Sequence, residues 1–434
     1  MKTVAFCTLG CKVNQYETQA MCELFLKQGY RETSFDNFAD VYVINTCSVT
    51  SLSDRKSRQM IRRAKRLNPD AIIVVTGCYA QTAANEVAKI DGVNLVIGTS
   101  GRKEIVNLVE SISIGNTHIA VDDIMHIHEF ENLSVNTYND KTRAYVKVQE
   151  GCSQFCSYCI IPYARGPIRS RNEEDVVDEA RRLADSGFCE IVLVGIHIAS
   201  YGKDLKNTSL EKIICKIANI DNIKRIRLSS IEPMTLDESF INAISSANDK
   251  LCHHFHISLQ SGCDETLMRM NRKYLSTDFE KIVAGLHKAS PDAAITTDIM
   301  VGFPGESDEE FEKSLAFADK MEFADMHVFQ YSPRPGTPAA IMKNQVKPEL
   351  KHERSARMIE MATKNRDKFL DKFVGRKMLV LFEQEHEHKK GLYEGKTENY
   401  ITVVCESERN LSGELLYVHL QKHSNGVMHG IIEL

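Results

Sequence analysis

The stretch VKVQEGCSQFCSYCIIPYARG (146–166) packs Cys152, Cys156 and Cys159 into eight residues, directly after an apolar run of β-strand character. A closed structural zinc site takes four ligands, and a disulfide framework takes an even number of cysteines. Three thiolates at this spacing can hold three irons of a 4Fe–4S cluster and leave the fourth open, as catalytic metal sites do. The alternatives are a zinc knuckle completed by a distant ligand, or three buried thiols.

The flanking pattern favours the cluster. Over residues 141–370 the strand candidates AYVKVQ, EIVLVGI, RIRLSSI, HFHISLQ, AITTDIMVGF and MHVFQYS alternate with five helix-type stretches. Right-handed crossovers turn such a string into a curved parallel sheet, doubly wound or part of a barrel, with its chemistry at the C-terminal strand ends. The cysteine triad closes the first strand, and GIH, SSIEP, LQSG, VGFPGE and YSPRPGTP close the others. CHHFHIS (252–258) opens a strand away from that mouth, so its histidines read as structural.

Residues 1–118 alternate in the same way, and three of their strand runs end in TLGC, INTC and VTGC. Parallel strands deliver their C-terminal ends to one edge, so Cys11, Cys47 and Cys78 converge into a second triad, with Gly10, Asn45 and Gly77 allowing close backbone approach. A single thiol ending a buried strand is usually just a small apolar residue. Three at equivalent places predict a second open cluster. Residues 119–140 read as a connector. In 371–434, MLVLFEQ, NYITVVCE and LLYVHLQ between polar turns predict a small all-β barrel.

Composition excludes several classes. The chain has 434 residues, 43% of them hydrophobic and 26% charged, an ordinary globular balance rather than a disordered one. No apolar run approaches the ~20 residues that span a bilayer, and the N-terminus reads as a strand rather than a signal. The cytoplasm is the expected compartment, where thirteen cysteines are not a disulfide framework. A formal net charge of −5 argues against a generic nucleic-acid binder but leaves room for a basic patch. DRKSRQMIRRAKRLNP supplies one: Arg55, Lys56, Arg58, Arg62, Arg63, Lys65 and Arg66 run without an acid between them, at helical spacing suited to phosphates. His386 and His388 of EQEHEHKKG lie among mixed charges and read as solvated, not as metal ligands.

CxxxCxxC is the signature spacing of the radical S-adenosylmethionine (SAM) superfamily, which the middle region resembles. Two open triads with a small β-barrel behind them resemble the methylthiotransferases over essentially the whole chain. TLGCKVNQYETQAM and ADVYVINTCSVT are similar to the branch acting on threonylcarbamoyladenosine at position 37 of tRNA, beside the anticodon. The resemblance implies an N-terminal parallel α/β domain, a partial (β/α)6 radical SAM barrel and a C-terminal RNA-binding TRAM barrel. It implies two 4Fe–4S clusters, SAM cleaved to methionine and a 5′-deoxyadenosyl radical, and a methylthio group placed on carbon 2 of the adenine. It also implies an external electron donor and a sulfur donor. Gly195, Ser230, Gln260, Arg272 and Asp298 are the expected SAM contacts at the strand ends. The substrate carries a carboxylate, so a cation is expected beside it, with Arg165, Arg169 and Arg171 as candidates. No side-chain acid or base is identified, since an aromatic carbon–hydrogen bond has no usable acidity. Rival readings are methylthiolation of isopentenyladenosine or of a ribosomal-protein aspartate, and a non-catalytic iron–sulfur redox sensor that binds RNA.

Overall fold

The computed structural model describes the chain except residues 113–115, 139–141, 245–246, 248, 388 and 434, so His388 lies outside the described residues. The N-terminal sheet has six parallel strands: β1 (Thr3–Thr8), β2 (Arg31–Thr33), β3 (Val41–Thr46), β4 (Ile72–Gly77), β5 (Val93–Ile97) and β6 (His118–Ala120), in the order β2-β1-β3-β4-β5-β6. Every residue of β3 is buried, as expected of a central parallel strand covered on both faces. The expected boundary at 118 falls inside β6, so the connector begins two residues later.

Two helices of this domain start beside the cysteine edge. Helix α1 (Lys12–Lys27) starts at Cys11. Helix α2 (Ser51–Leu67) is capped by the Thr50 side chain, which accepts from the Ser53 amide. It buries Ser57, Ile61 and Ala64 on one face and leaves Arg55, Lys56, Arg62, Arg63 and Arg66 exposed on the other. The basic stretch is therefore a helix face, as its spacing requires.

All six expected barrel strands form: β7 (Arg143–Glu150), β9 (Glu190–Gly195), β10 (Arg225–Leu228), β11 (His254–His256), β12 (Ala294–Val301) and β13 (Asp325–Gln330). The short β8 (Arg169–Ser170) adds antiparallel to β7. Sheets β10-β9-β7-β8 and β11-β12-β13 are joined through single bridges from Ile226 to Leu251 and from Ile231 to Ile257, giving one open arc rather than a closed barrel. The connector lies as a strap between the domains: its Leu133, Val135 and Tyr138 share a core with Val13, Tyr16 and Ala20 of α1 and with Ala144, Val146 and Val148 of β7.

The C-terminal strands β14 (Lys377–Glu385), β15 (Leu392–Thr397), β16 (Thr402–Glu406), β17 (Leu415–Ser424) and β18 (Val427–Ile432) close a barrel. Five strands form where three were legible. This barrel docks on the N-terminal ends of the arc, away from the cysteine mouth. Arg225 donates to the carbonyls of Leu379 and Lys396, and Arg227 to those of Thr397 and Glu398. Arg227 also holds Glu190 at 2.7 Å, and the Tyr400 ring stacks on His254 with centroids 4.6 Å apart. His254 is thus structural, as expected. Arg227→Met should leave Glu190 short of a buried partner and cost roughly 3–5 kcal/mol. Urea unfolding checks this, and an unchanged midpoint would place the docking energy elsewhere.

Candidate cluster sites

The ends of β1, β3 and β4 are brought level by parallel register, Thr8 opposite Asn45 and Thr46 opposite Gly77. Cys11, Cys47 and Cys78 follow at one edge, Cys11 at the exposed rim and the other two buried. Asn14 ties their loops together: its side-chain amide donates to the carbonyls of Leu9 and Thr46, at 2.7 and 3.0 Å. Gly10 has a φ of +109°, and a Cβ there would sit 2.8 Å from the Cβ of Cys47, so only glycine lets these loops meet. Burial pushes the thiols of Cys47 and Cys78 up.

The second triad sits in the loop after β7. Gly151 turns the chain there with a φ of +74°, where a Cβ would meet the Pro167 carbonyl oxygen at 1.8 Å. Gln149, fully buried, pins the loop's start by donating to the carbonyls of Glu150 and Gly151 and accepting from the His197 amide. Burial raises Cys152 to about 11 and Cys159 to about 12. A metal held there would have to stabilise the thiolates of Cys152 and Cys159, which burial disfavours.

One guanidinium reaches a sulfur of each triad. Arg272 donates through Nη1 to Cys156 Sγ at 3.2 Å, while its Nη2 holds both oxygens of Glu232 at 2.8 Å. Arg165, six residues beyond Cys159, donates through Nε to Cys78 Sγ in the other domain, also at 3.2 Å. Neither triad gathers its sulfurs around one point: among the described residues, the group of His, Cys, Asp and Glu with ligand atoms all within 4.8 Å is His256, Asp298 and His327. A mononuclear zinc would draw thiolates closer, each about 2.3 Å from one metal. A multi-iron cluster does not ask this of its cysteines, which bind separate irons.

Arg165 belongs to a buried ionic network that crosses the domain boundary. It pairs with Glu17 of α1 at 2.6 Å and with Glu150 at 3.1 Å, and it donates to Asn14 at 2.6 Å. Lys147 bonds the same two carboxylates, and Arg102 links Glu17 to Glu131 of the connector. Burial opposes ionisation of Glu17, but Arg102, Arg165 and Lys147 hold its carboxyl well below the usual range. Arg171 pairs with Glu179 and Tyr16, and Arg169 donates to the carbonyls of Ile127 and Arg165. All three arginines expected near the substrate are at most 2% exposed. They face protein carboxylates, carbonyls and the sulfur of Cys78, and the expectation of a substrate cation among them gives way to a role in the interface.

The expected SAM contacts divide. Gln260 takes a φ of +68°, and its buried side-chain carbonyl oxygen accepts no hydrogen bond from any described residue. Arg272 and Gln260 flank the end of β11, since Arg272 also reaches the Ser258 carbonyl at 3.3 Å. Gly195 ends β9 against Gln149, where a Cβ would meet Oε1 at 3.0 Å, and Ser230 is exposed in the loop after β10. Asp298 has both oxygens bonded to histidines, His256 and His327. Glu17, Lys147, Glu150, Gln149 and Glu232 were not legible as site residues, because a charged residue in a helix or strand reads as solvated until the fold buries it.

Residues 3–98 match Uncharacterized protein family UPF0004, and residues 146–318 match the Radical SAM superfamily. A Bacillus subtilis (strain 168) protein described as threonylcarbamoyladenosine tRNA methylthiotransferase MtaB is 42% identical over 97% of this chain and 94% of its own. The Aquifex aeolicus (strain VF5) protein of the same description is 39% identical over 96% and 99%. A tRNA-2-methylthio-N(6)-dimethylallyladenosine synthase of Acetivibrio thermocellus is 34% identical over 98% and 90%. Among solved structures, the radical SAM methyltransferase TsrM from Kitasatospora setae superposes with a TM-score of 0.60 at 17% identity, covering 78% of this chain and 77% of that one, a likeness of fold.

The network has a pH signature. Glu17 and Glu150 are both depressed in the folded state, so their contribution is present above the unfolded value of about 4.3 and is lost as pH falls below it. Stability measured by denaturant should fall steeply from about pH 5 downward. Glu17→Gln should lower stability at pH 7 by roughly 3–5 kcal/mol and flatten that acid limb. An unchanged acid limb in the variant would assign the dependence to other carboxylates.

Proposed function

The chain belongs to the radical SAM methylthiotransferase family, and from that premise we propose how its residues share the work. It methylthiolates carbon 2 of threonylcarbamoyladenosine in tRNA, using SAM and two 4Fe–4S clusters. The observation that carries this is the near full-length identity of 38–42% to relatives of that description, against 32–34% to the dimethylallyladenosine enzymes.

Cys152, Cys156 and Cys159 hold the cluster that engages SAM, and Cys11, Cys47 and Cys78 hold the second. Bound there, the clusters and SAM supply the one-electron and sulfur chemistry that an unactivated carbon–hydrogen bond demands. The protein's own contribution is positional. Arg272 and Glu232 fix Cys156 at the barrel mouth, and Gln260 offers its orphan carbonyl beside them to a cofactor donor. Arg165 fixes Cys78 from the barrel side, so the barrel domain supplies one guanidinium to a sulfur of each triad. The strap 121–138 and the ionic network bury the boundary between the domains and so hold the two triads in one relative placement.

The exposed cations of α2 begin at Arg55, one turn into the helix that follows Cys47, and suit the tRNA backbone. The C-terminal barrel is a second RNA contact. Sulfur and electrons come from external donors, and the cytoplasm, where tRNA is processed, is the compartment. The cysteine assignments predict a split phenotype in anaerobic reactions with reductant, sulfide, SAM and threonylcarbamoyl-bearing tRNA, read by nucleoside mass analysis. Cys152→Ala should abolish both deoxyadenosine and the methylthio product. Cys11→Ala should continue to release deoxyadenosine while losing the product. Methylthio product from Cys11→Ala would overturn the second ligand set; deoxyadenosine without product from the unaltered protein would overturn the substrate.

A further inference from the structure

With Arg165, Arg169 and Arg171 sealed in the interface, the carboxylate of a threonylcarbamoyl group still needs a partner, because a charge withdrawn from water without one is costly. The inner face of the arc is where a base must come. On β11 and just after it, and on β12 and β13, Phe255, Ile257, Ile295, Ile299 and Met326 lie in the core, with Val328 packed against it. Side chains alternate along a strand, so His256, Asp298 and His327 share the opposite, inner face.

The guanidinia on this face are already committed. Arg143 bonds Glu383, Arg225 the C-terminal barrel's carbonyls, Arg227 Glu190 and Arg272 Glu232. His327 is different. Its Nδ1 lies 3.2 Å from Asp298 Oδ1, its side chain is 70% exposed, and its Nε2 has no hydrogen bond to any described residue. The other Asp298 oxygen lies 3.2 Å from Nε2 of His256, whose Nδ1 is 3.0 Å from Thr296 Oγ1. The His256 and His327 rings are 5.4 Å apart.

We infer that the His256–Asp298–His327 cluster is the acceptor for the substrate's pendant carboxylate, with His327 Nε2–H as the donor that meets it. This rests on the threonylcarbamoyl reading above and makes His327 the group that tells that nucleoside from one with a neutral, apolar substituent. Orientation comes from Asp298, which fixes the ring through Nδ1 and leaves Nε2 pointing away from it. The groups facing His327 are Asp298 on β12, His256 on β11, Asp325 on its own strand and Lys12 at the start of α1. Asp298 first, and Asp325, favour the charged ring; burial and Lys12 oppose it, and the balance raises the pKa. Lys12 directly follows Cys11, so the N-terminal cysteine loop lies across from this same face.

The three side chains are also close enough to bind one divalent ion. Metal ligation needs neutral imidazoles with free lone pairs. Here both carboxylate oxygens are spent on ring nitrogens, and Asp298 favours a protonated His327, which fits an anion better than a cation.

The test is equilibrium binding of reconstituted protein to an anticodon stem-loop carrying threonylcarbamoyladenosine, beside a matched RNA in which threonine is replaced by threoninamide. The unaltered protein should prefer the carboxylate RNA by about tenfold or more. That preference should fall as pH rises through the His327 pKa, since only the protonated ring donates from both nitrogens. His327→Ala should bring the ratio to about one, Asp298→Asn should reduce it, and His327→Lys should restore a preference without the pH dependence near neutrality. A ratio unchanged in His327→Ala would overturn the inference, as would stoichiometric bound zinc or cobalt lost in that variant while the preference persists. Failure of the unaltered protein to modify threonylcarbamoyl-bearing tRNA at all would instead remove the reading on which it rests.

Discussion

Arg165 is the constraint on which the arrangement turns. Its guanidinium is fully buried, bonded to two carboxylates, to Asn14 and to the sulfur of Cys78, yet it is placed by the loop that carries Cys152, Cys156 and Cys159. Three buried cations, Arg102, Lys147 and Arg165, are balanced by Glu17, Glu150 and the partly buried Glu131. A network of this kind contributes little net stability compared with an apolar core of the same volume. What it does is penalise every other docking geometry, because sliding the domains would strand a buried charge. Relative placement of the two cysteine triads is therefore set by electrostatics across the boundary and not by linker length.

The same logic organises the far end of the arc. Glu190 gathers Arg143, Arg225 and Arg227, and the latter two donate to backbone carbonyls of the C-terminal barrel. One end of the strands is thus closed by a β-barrel, one side by the N-terminal domain, and the mouth is left to the cysteines. A base entering this space meets a triad loop, Cys11 at its rim and a histidine-lined wall. Positioning is the task the chain itself performs; the demanding bond chemistry belongs to the groups it holds.

Legibility in the sequence depended on which signals are local. The six barrel strands are apolar runs long enough to show their period, and CxxxCxxC is a spacing within one loop. The strand-end cysteines required only the knowledge that parallel strands end together. Strands such as Arg31–Thr33 and His118–Ala120 have three residues each and no period to read. Glu17 sits in mid-helix and Arg165 beside exposed Tyr163, so neither looked different from a solvated charge. Their meaning depends on partners more than a hundred residues away, as with the Glu17–Arg165 pair. The same holds for a substrate cation: position after the triad points to Arg165, Arg169 and Arg171, whereas burial removes them and alternation on the strands brings His327 forward.

Two separate open cluster sites, each held by three named cysteines, are what the whole scheme requires of this chain. Mössbauer spectroscopy and iron analysis of anaerobically reconstituted protein test that requirement directly. The expected result is about eight irons per chain in two 4Fe–4S clusters, with about half lost in a Cys11/Cys47/Cys78→Ala protein and the other half in a Cys152/Cys156/Cys159→Ala protein. A single cluster in the unaltered chain, or loss of all iron from either triple variant while the fold persists, would contradict it.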